Sequence, residues 1–136
     1  MIRPLLVAGV LLALSATAAE ARYVDFVMPS GNIGCAYTDE PRRYLRCDIL
    51  QSSDLPEGQP SECDLDYGHA YAMNRRGKAR TLCAGDTVVN RNAPALDYGE
   101  TKRIGGFKCR SKTTGLRCSN KARHGWFLSR GRIEKF

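Results

Sequence analysis

The chain has only two histidines in 136 residues, His69 and His124, with one tryptophan and 8% aromatic residues overall. It contains no G-x-S-x-G elbow, no P-loop and no H-E-x-x-H pair, which excludes the usual nucleophile, phosphate-cradle and zinc-hydrolase motifs. None of its six cysteines stands at C-x-x-C spacing and neither histidine lies at ligand spacing from a cysteine, which argues against a zinc knuckle or a redox pair. The acid pairs, Asp64 with Asp66 and Asp39 with Glu40, lack the further oxygen ligands of a calcium loop, and a glycosidase dyad is not indicated. No cofactor and no metal are therefore expected. Low-complexity tracts are absent, and 26% charged with 43% hydrophobic residues are the proportions of a globular domain rather than a disordered one.

What is present begins with a leader. Arg3, the apolar run Leu5 to Leu14 and the small-x-small stretch Ala19-Glu20-Ala21 read as a secretory signal over residues 1–21. Ten apolar residues rise only about 15 Å as a helix, about half a bilayer core, and no later run is longer, so no transmembrane segment is expected. Residues 22–136 then form one domain, periplasmic or extracellular.

An exported small domain with an even cysteine count points to a disulfide framework built on Cys35, Cys47, Cys63, Cys83, Cys109 and Cys118. Six cysteines allow fifteen pairings. An internal echo favours nearest neighbours. Gly31-Asn32-Ile33-Gly34-Cys35 followed by Leu45-Arg46-Cys47 is repeated, approximately, by Gly105-Gly106-Phe107-Lys108-Cys109 followed by Leu116-Arg117-Cys118. Turn-forming residues separate the two halves of each unit, as in a hairpin stapled across its strands. Further strands are expected at Tyr23 to Met28, Leu65 to Met73, Ala79 to Cys83, Asp86 to Val89 and Gly125 to Ser129. Leu55 to Pro60, with two prolines, is read as a loop. The fold class is mainly β: a small antiparallel domain of stapled hairpins with three disulfides. Its expected core is Val24, Phe26, Ile33, Leu45, Ile49, Leu82, Val88, Phe107, Leu116, Trp126 and Leu128.

Charge is distributed unevenly. Residues 102–136 carry eleven Lys and Arg against the single acid Glu134, a balance of +10, whereas residues 22–101 carry nine bases and twelve acids. Lys108, Arg110 and Lys112 alternate, so in a strand they share one side. Together with Arg117, Arg123, His124 and Arg130 they are the candidate binding residues for an anionic envelope polymer. Folding can also bring the acids of the first two thirds against these bases and neutralise them. Aromatic residues among the bases are few, so specific nucleic-acid recognition is not expected.

Two other functions are compatible with the sequence. His69 and His124 could act as base and acid in a small phosphodiester hydrolase, although neither sits in a motif and both suit structural roles. The loop Leu55 to Pro60, tied by a disulfide, could instead be presented to a secreted protein partner, as in an inhibitor. The leading expectation is a non-enzymatic exported binding module.

Three segments carry a family resemblance: Ser30-Gly31-Asn32-Ile33-Gly34-Cys35, Gly85-Asp86-Thr87-Val88 and His124-Gly125-Trp126-Phe127-Leu128-Ser129-Arg130. Over the whole of residues 22–136 the chain resembles the domain of unknown function 6636 family of small exported bacterial proteins. In that family the last segment is closer to Gly-His-Gly-Phe, and here Arg123 and Trp126 replace the first Gly and the Phe. The resemblance implies export, disulfides and a bacterial source, and carries no activity. Gly125 suggests a tight turn that projects His124, whose ring could bond the turn backbone or join Arg130 in an anion pocket.

Overall fold

The structure, a computed structural model, describes residues 12–17 and 20–136. Residues 1–11 and 18–19 of the expected signal segment lie outside the described residues. Within the described chain no helix is long and apolar enough to cross a membrane.

Among the described residues ten strands form two antiparallel meanders. The first sheet is β1 (Tyr23–Val27), β2 (Ile33–Thr38), β3 (Tyr44–Ile49), β4 (Tyr67–Asn74) and β5 (Arg80–Cys83), each paired with the next. The second is β6 (Thr101–Ile104), β7 (Phe107–Lys112), β8 (Gly115–Ser119), β9 (Gly125–Leu128) and β10 (Ile133–Lys135), again in chain order. The fold is thus all-β, with disulfides Cys35–Cys47, Cys63–Cys83 and Cys109–Cys118. Two of these join directly opposed residues of neighbouring strands, with Cα atoms 4.0 and 4.1 Å apart.

The internal echo is a structural repeat with a shared register. Cys47 faces Tyr71 and Leu45 faces Met73 across β3 and β4, while Cys118 faces Trp126 and Leu116 faces Leu128 across β8 and β9. All eight side chains are buried in one hydrophobic core to which both sheets contribute. The sheets meet through these rows. Tyr71 and Trp126 have ring centroids 6.4 Å apart, Tyr37 meets Phe107 edge-on at 6.0 Å, and Cys47 Sγ lies 3.8 Å from Cys118 Sγ. Stapled hairpins suit this geometry, because burying one face of each sheet against the other is what stabilises an otherwise marginal two-stranded unit.

The outer faces of the sheets differ. In β7 burial alternates strictly, with Phe107, Cys109 and Ser111 inward and Lys108, Arg110 and Lys112 exposed. The equivalent strand β2 is buried from Ile33 through Tyr37 on both faces. The cause is the crossover between the sheets, residues 84–96, which lies over the outer face of the first sheet as a strap. Val88 N donates to Asp48 Oδ2 at 3.0 Å, and Asn90 Nδ2 donates to Asp25 Oδ2 at 3.0 Å. Val27 N and O bond Pro94 O and Leu96 N. Gly34 permits the strap's approach, since a Cβ there would lie 2.9 Å from Val89 Cα.

Three expectations are corrected here. Asp86 to Val89 is no strand, because Val88 N bonds the Asp48 carboxylate and Val89 N bonds Thr87 Oγ1 instead of a ladder partner. Val24, Leu82 and Val88 are only half-buried, Val24 packing against the core from its margin, and the core instead includes Tyr71, Met73 and the Cys35–Cys47 and Cys109–Cys118 disulfides. Finally, β6 and β10 are strands beyond those expected from the sequence. They are short, charged edge segments without an apolar run, which is how natural sheets protect their edges.

Candidate anion-binding face

The bases of the second sheet come together on its uncovered side. Register places Arg103 opposite Lys108 and Arg110 directly opposite Arg117, and all four are exposed with Lys112. Among the described residues the ion pairs are Arg46–Asp48, Arg46–Asp86 and Arg132–Glu134, so none of these five bases is neutralised by a partner. The acids of residues 22–101 do not fold back onto them. Arg110 Nη1 instead donates to Thr101 Oγ1 at 3.3 Å, and the Arg117 guanidinium stacks 3.9 Å over the Phe136 ring. Like charges directly opposite one another cost stability in a sheet, so the Arg103–Lys108 and Arg110–Arg117 pairs carry a small folding penalty.

Strand rise spaces alternate residues of β7 by about 6.6 Å, so Lys108, Arg110 and Lys112 form a cationic row about 13 Å long. Each end of the row opens into a cavity. Lys108 lines one of about 490 Å³ with Arg103, Lys121 and the Gly105–Gly106 turn, and Lys112 lines another of about 330 Å³ with Arg130.

Arg123 and His124 stand apart from Arg130, because β9 runs between them. The turn ahead of β9 is organised by buried Asn120, whose Oδ1 accepts from Ala122 N and His124 N and whose Nδ2 donates to Asn74 O and Gly77 O. Arg123 takes the left-handed conformation of that turn at φ 65°. Gly125 is therefore not its turn residue. It begins β9, where a Cβ would collide with the Cys118 carbonyl oxygen. No hydrogen bond to the His124 ring occurs among the described residues; the bonds expected of its imidazole are made by its backbone with Asn120.

His69 is positioned differently. It lies within a β-bulge in β4, between Tyr67 and Ala70, and its Nδ1 lies 2.9 Å from Ile49 O, so in the neutral ring Nδ1 carries the proton and Nε2 is the free acceptor. One cavity beside it, of about 320 Å³, is lined by Asp48, Asp66 and Asp86; a second is lined by Gln51 and Arg130. Five residues of β4, about 16 Å at strand rise, separate His69 from Asn74, whose carbonyl holds the Asn120 turn that carries His124. The two imidazoles thus lie toward opposite ends of β4.

Sulfurs of Cys35, Cys47 and Cys118 cluster within 4.8 Å, but all belong to disulfides and offer no thiolate to a metal. The loop Leu55 to Pro60 is held from within. Gln59 Nε2 donates to Cys63 O and Leu65 O, and Pro56 packs on Gly68, where no side chain would fit.

Fold and face together define a disulfide-stapled protein of two repeated five-stranded sheets, one strapped on its outer side and the other bare and basic. The model of the family of unknown function DUF6636 matches residues 6–136, and the chain belongs to that family. Comparisons with curated proteins and with solved structures give no match.

Proposed function

We propose that this protein is an exported, non-enzymatic binding module that engages an anionic polymer through the outer face of its second sheet. The observation that carries the reading is the set of five exposed bases, Arg103, Lys108, Arg110, Lys112 and Arg117, on one sheet face with no carboxylate among the described residues paired to any of them. A field of one sign over a flat surface raises the local concentration of a polyanion and speeds encounter. Three disulfides support export to an oxidising compartment, where such bonds persist. Arg123 and Arg130, at the turns on either end of β9, extend the positive field beyond the sheet.

The test is co-sedimentation of the purified, oxidised protein with the host's envelope fraction at low and high salt. Pelleting at low salt that disappears at high salt is expected, because exposed charges are screened beyond a Debye length of about 8–10 Å near physiological salt. Absence of pelleting at low salt would overturn the reading. Binding to one secreted protein, unaffected by salt, would replace it with the inhibitor-like alternative.

A further inference from the structure

The cavity at the Lys112 end of the cationic row brings together two of the three segments that carry the family resemblance, through Ser30, Asn32 and Ile33 of one and Ser129 and Arg130 of the other, although they lie far apart in sequence. It occupies about 330 Å³ where the β1–β2, β7–β8 and β9–β10 turns meet Tyr98, in the turn ahead of β6. Ser30, Thr113 and Thr114 supply hydroxyls, Lys112 and Arg130 supply positive charge, and Tyr98 supplies a ring that is 44% exposed.

The site is held in place by a relay of hydrogen bonds. Asn32, itself 5% exposed, grips the Gln51 backbone from both sides: its Nδ2 donates to Gln51 O at 3.0 Å and its Oδ1 accepts from Gln51 N at 2.9 Å. Gln51 Oε1 then accepts from Arg130 Nη1 at 2.8 Å. The Arg130 carbonyl is fixed from the other side by Ser53 N at 2.7 Å and Ser52 Oγ at 3.1 Å. A neutral amide therefore orients the guanidinium and leaves its charge intact for a ligand, where a carboxylate would have neutralised it. The backbone turn that carries Tyr98 is closed by Gly99 N to Ser111 O at 2.7 Å and Glu100 N to Asp97 O at 3.0 Å.

An exposed ring beside hydroxyls and two cations is complementary to a sugar ring that bears one anionic group. The C–H face of a pyranose is apolar and stacks on an aromatic ring, its hydroxyls pair with Ser and Thr, and a carboxylate or phosphate pairs with Lys and Arg. A ringless polyanion would engage the cations and leave Tyr98 unused. We infer that this cavity is a subsite for an anionic pyranose unit, so that the polymer on the basic face is an acidic polysaccharide. This rests on the proposed polyanion-binding role, with which it shares Lys112.

The experiment measures binding of the oxidised protein to polygalacturonate and to polyphosphate, which has charge without sugar rings. Tyr98→Ala is expected to weaken polygalacturonate binding about tenfold, the loss of about 1.4 kcal/mol, and polyphosphate binding less than about twofold. Tyr98→Phe, which keeps the ring, is expected to retain polygalacturonate binding. Arg110→Glu is expected to weaken both polymers. If Arg110→Glu weakens both while Tyr98→Ala weakens neither, or both equally, the saccharide subsite is refuted and the basic face stands. If neither polymer binds, the basic face fails, and nuclear magnetic resonance titration with galacturonate, galactose 1-phosphate, galactose and inorganic phosphate decides the subsite. Saturable shifts at Ser30, Tyr98, Thr113 and Gly131 with an anionic sugar, absent with galactose or phosphate alone, uphold it. No shift there, or equal shifts with phosphate alone, overturns it; the two sugar acids separate a carboxylate from a phosphate source.

Discussion

Arg117 occupies the position in the second sheet that Arg46 occupies in the first, each immediately before a cysteine of a cross-strand disulfide, yet only Arg46 meets carboxylates. Arg46 Nε lies 2.8 Å from Asp48 Oδ1 and its Nη1 lies 3.1 Å from Asp86 Oδ1, whereas Arg117 lies over the Phe136 ring. The hydrogen bonds and charges of Asp48 and Asp86 hold the Arg46 proton more firmly than usual against the opposing effect of burial. One arginine fastens the strap, and the other has no carboxylate partner among the described residues.

The two positions should therefore respond differently to the same substitution. Arg46→Ala leaves Asp48 buried without its partner and is expected to cost about 2–4 kcal/mol, while Arg117→Ala stays within about 0.5 kcal/mol. Urea unfolding of both variants checks this. Equal losses at the two sites would contradict the asymmetry.

The disulfides Cys35–Cys47 and Cys109–Cys118 each close a short loop and should contribute about 2.5–3 kcal/mol apiece through the unfolded state. Their sulfurs touch across the sheets, with Cys47 Sγ 3.8 Å from Cys118 Sγ, so the two losses should not add. Paired Cys→Ser replacements, singly and together, measured by denaturant unfolding, are expected to give a coupling energy above about 0.5 kcal/mol. Strict additivity would show that the contact carries no energy.

Gly125 is needed because β9 runs against the Cys118 carbonyl, leaving no space for a methyl group. Gly125→Ala is expected to cost at least about 3 kcal/mol, an overpacking effect on backbone that cannot give way. Thermal unfolding of Gly125→Ala beside Gly131→Ala, where nothing lies within 4 Å, supplies the control.

Tyr71 sets the response to alkali. Burial first, and then Tyr67 and Asp54, push its phenol well above the usual tyrosine range, and its hydroxyl donates to Gly68 O at 2.8 Å. The folded state thus favours the neutral phenol. Its contribution is fully present below the unfolded pKa of about 10 and is lost as pH rises through the folded value. Stability should fall above about pH 10. Tyr71→Phe should lose about 1 kcal/mol at neutral pH and decline less steeply in alkali. An unchanged alkaline slope would remove Tyr71 from the explanation, leaving Tyr44 and Tyr23, whose pKa values are also raised, chiefly by burial.

Much of this fold is written in local pattern. The repeated Leu-Arg-Cys triplets mark two stapled hairpins, and the alternation in Phe107 to Lys112 marks a strand with one wet face, because each signal lies within a few residues. The strap was not legible in that way. Asp86 to Val89 carries the β-branched run Thr87-Val88-Val89 of a strand, and only the distant Asp48 carboxylate and Gly34 decide that it lies over a sheet instead of joining it. For the same reason the candidate face was visible in Lys108, Arg110 and Lys112, while the cavity at its end was not. Gln51 and Tyr98 sit in loops without periodicity, and their places follow from bonds to residues up to 79 positions away.

The most direct test of the basic face is the affinity of the oxidised protein for fluorescent polygalacturonate across a salt series, with Arg110→Glu/Arg117→Glu as the comparison. With roughly four ionic contacts, raising salt from about 50 to about 200 mM should weaken binding about fiftyfold, and the double variant should bind weakly with a shallower salt slope. Affinity that is independent of salt, or unchanged in the double variant while the fold is intact, would contradict a ligand held by the bases of the second sheet.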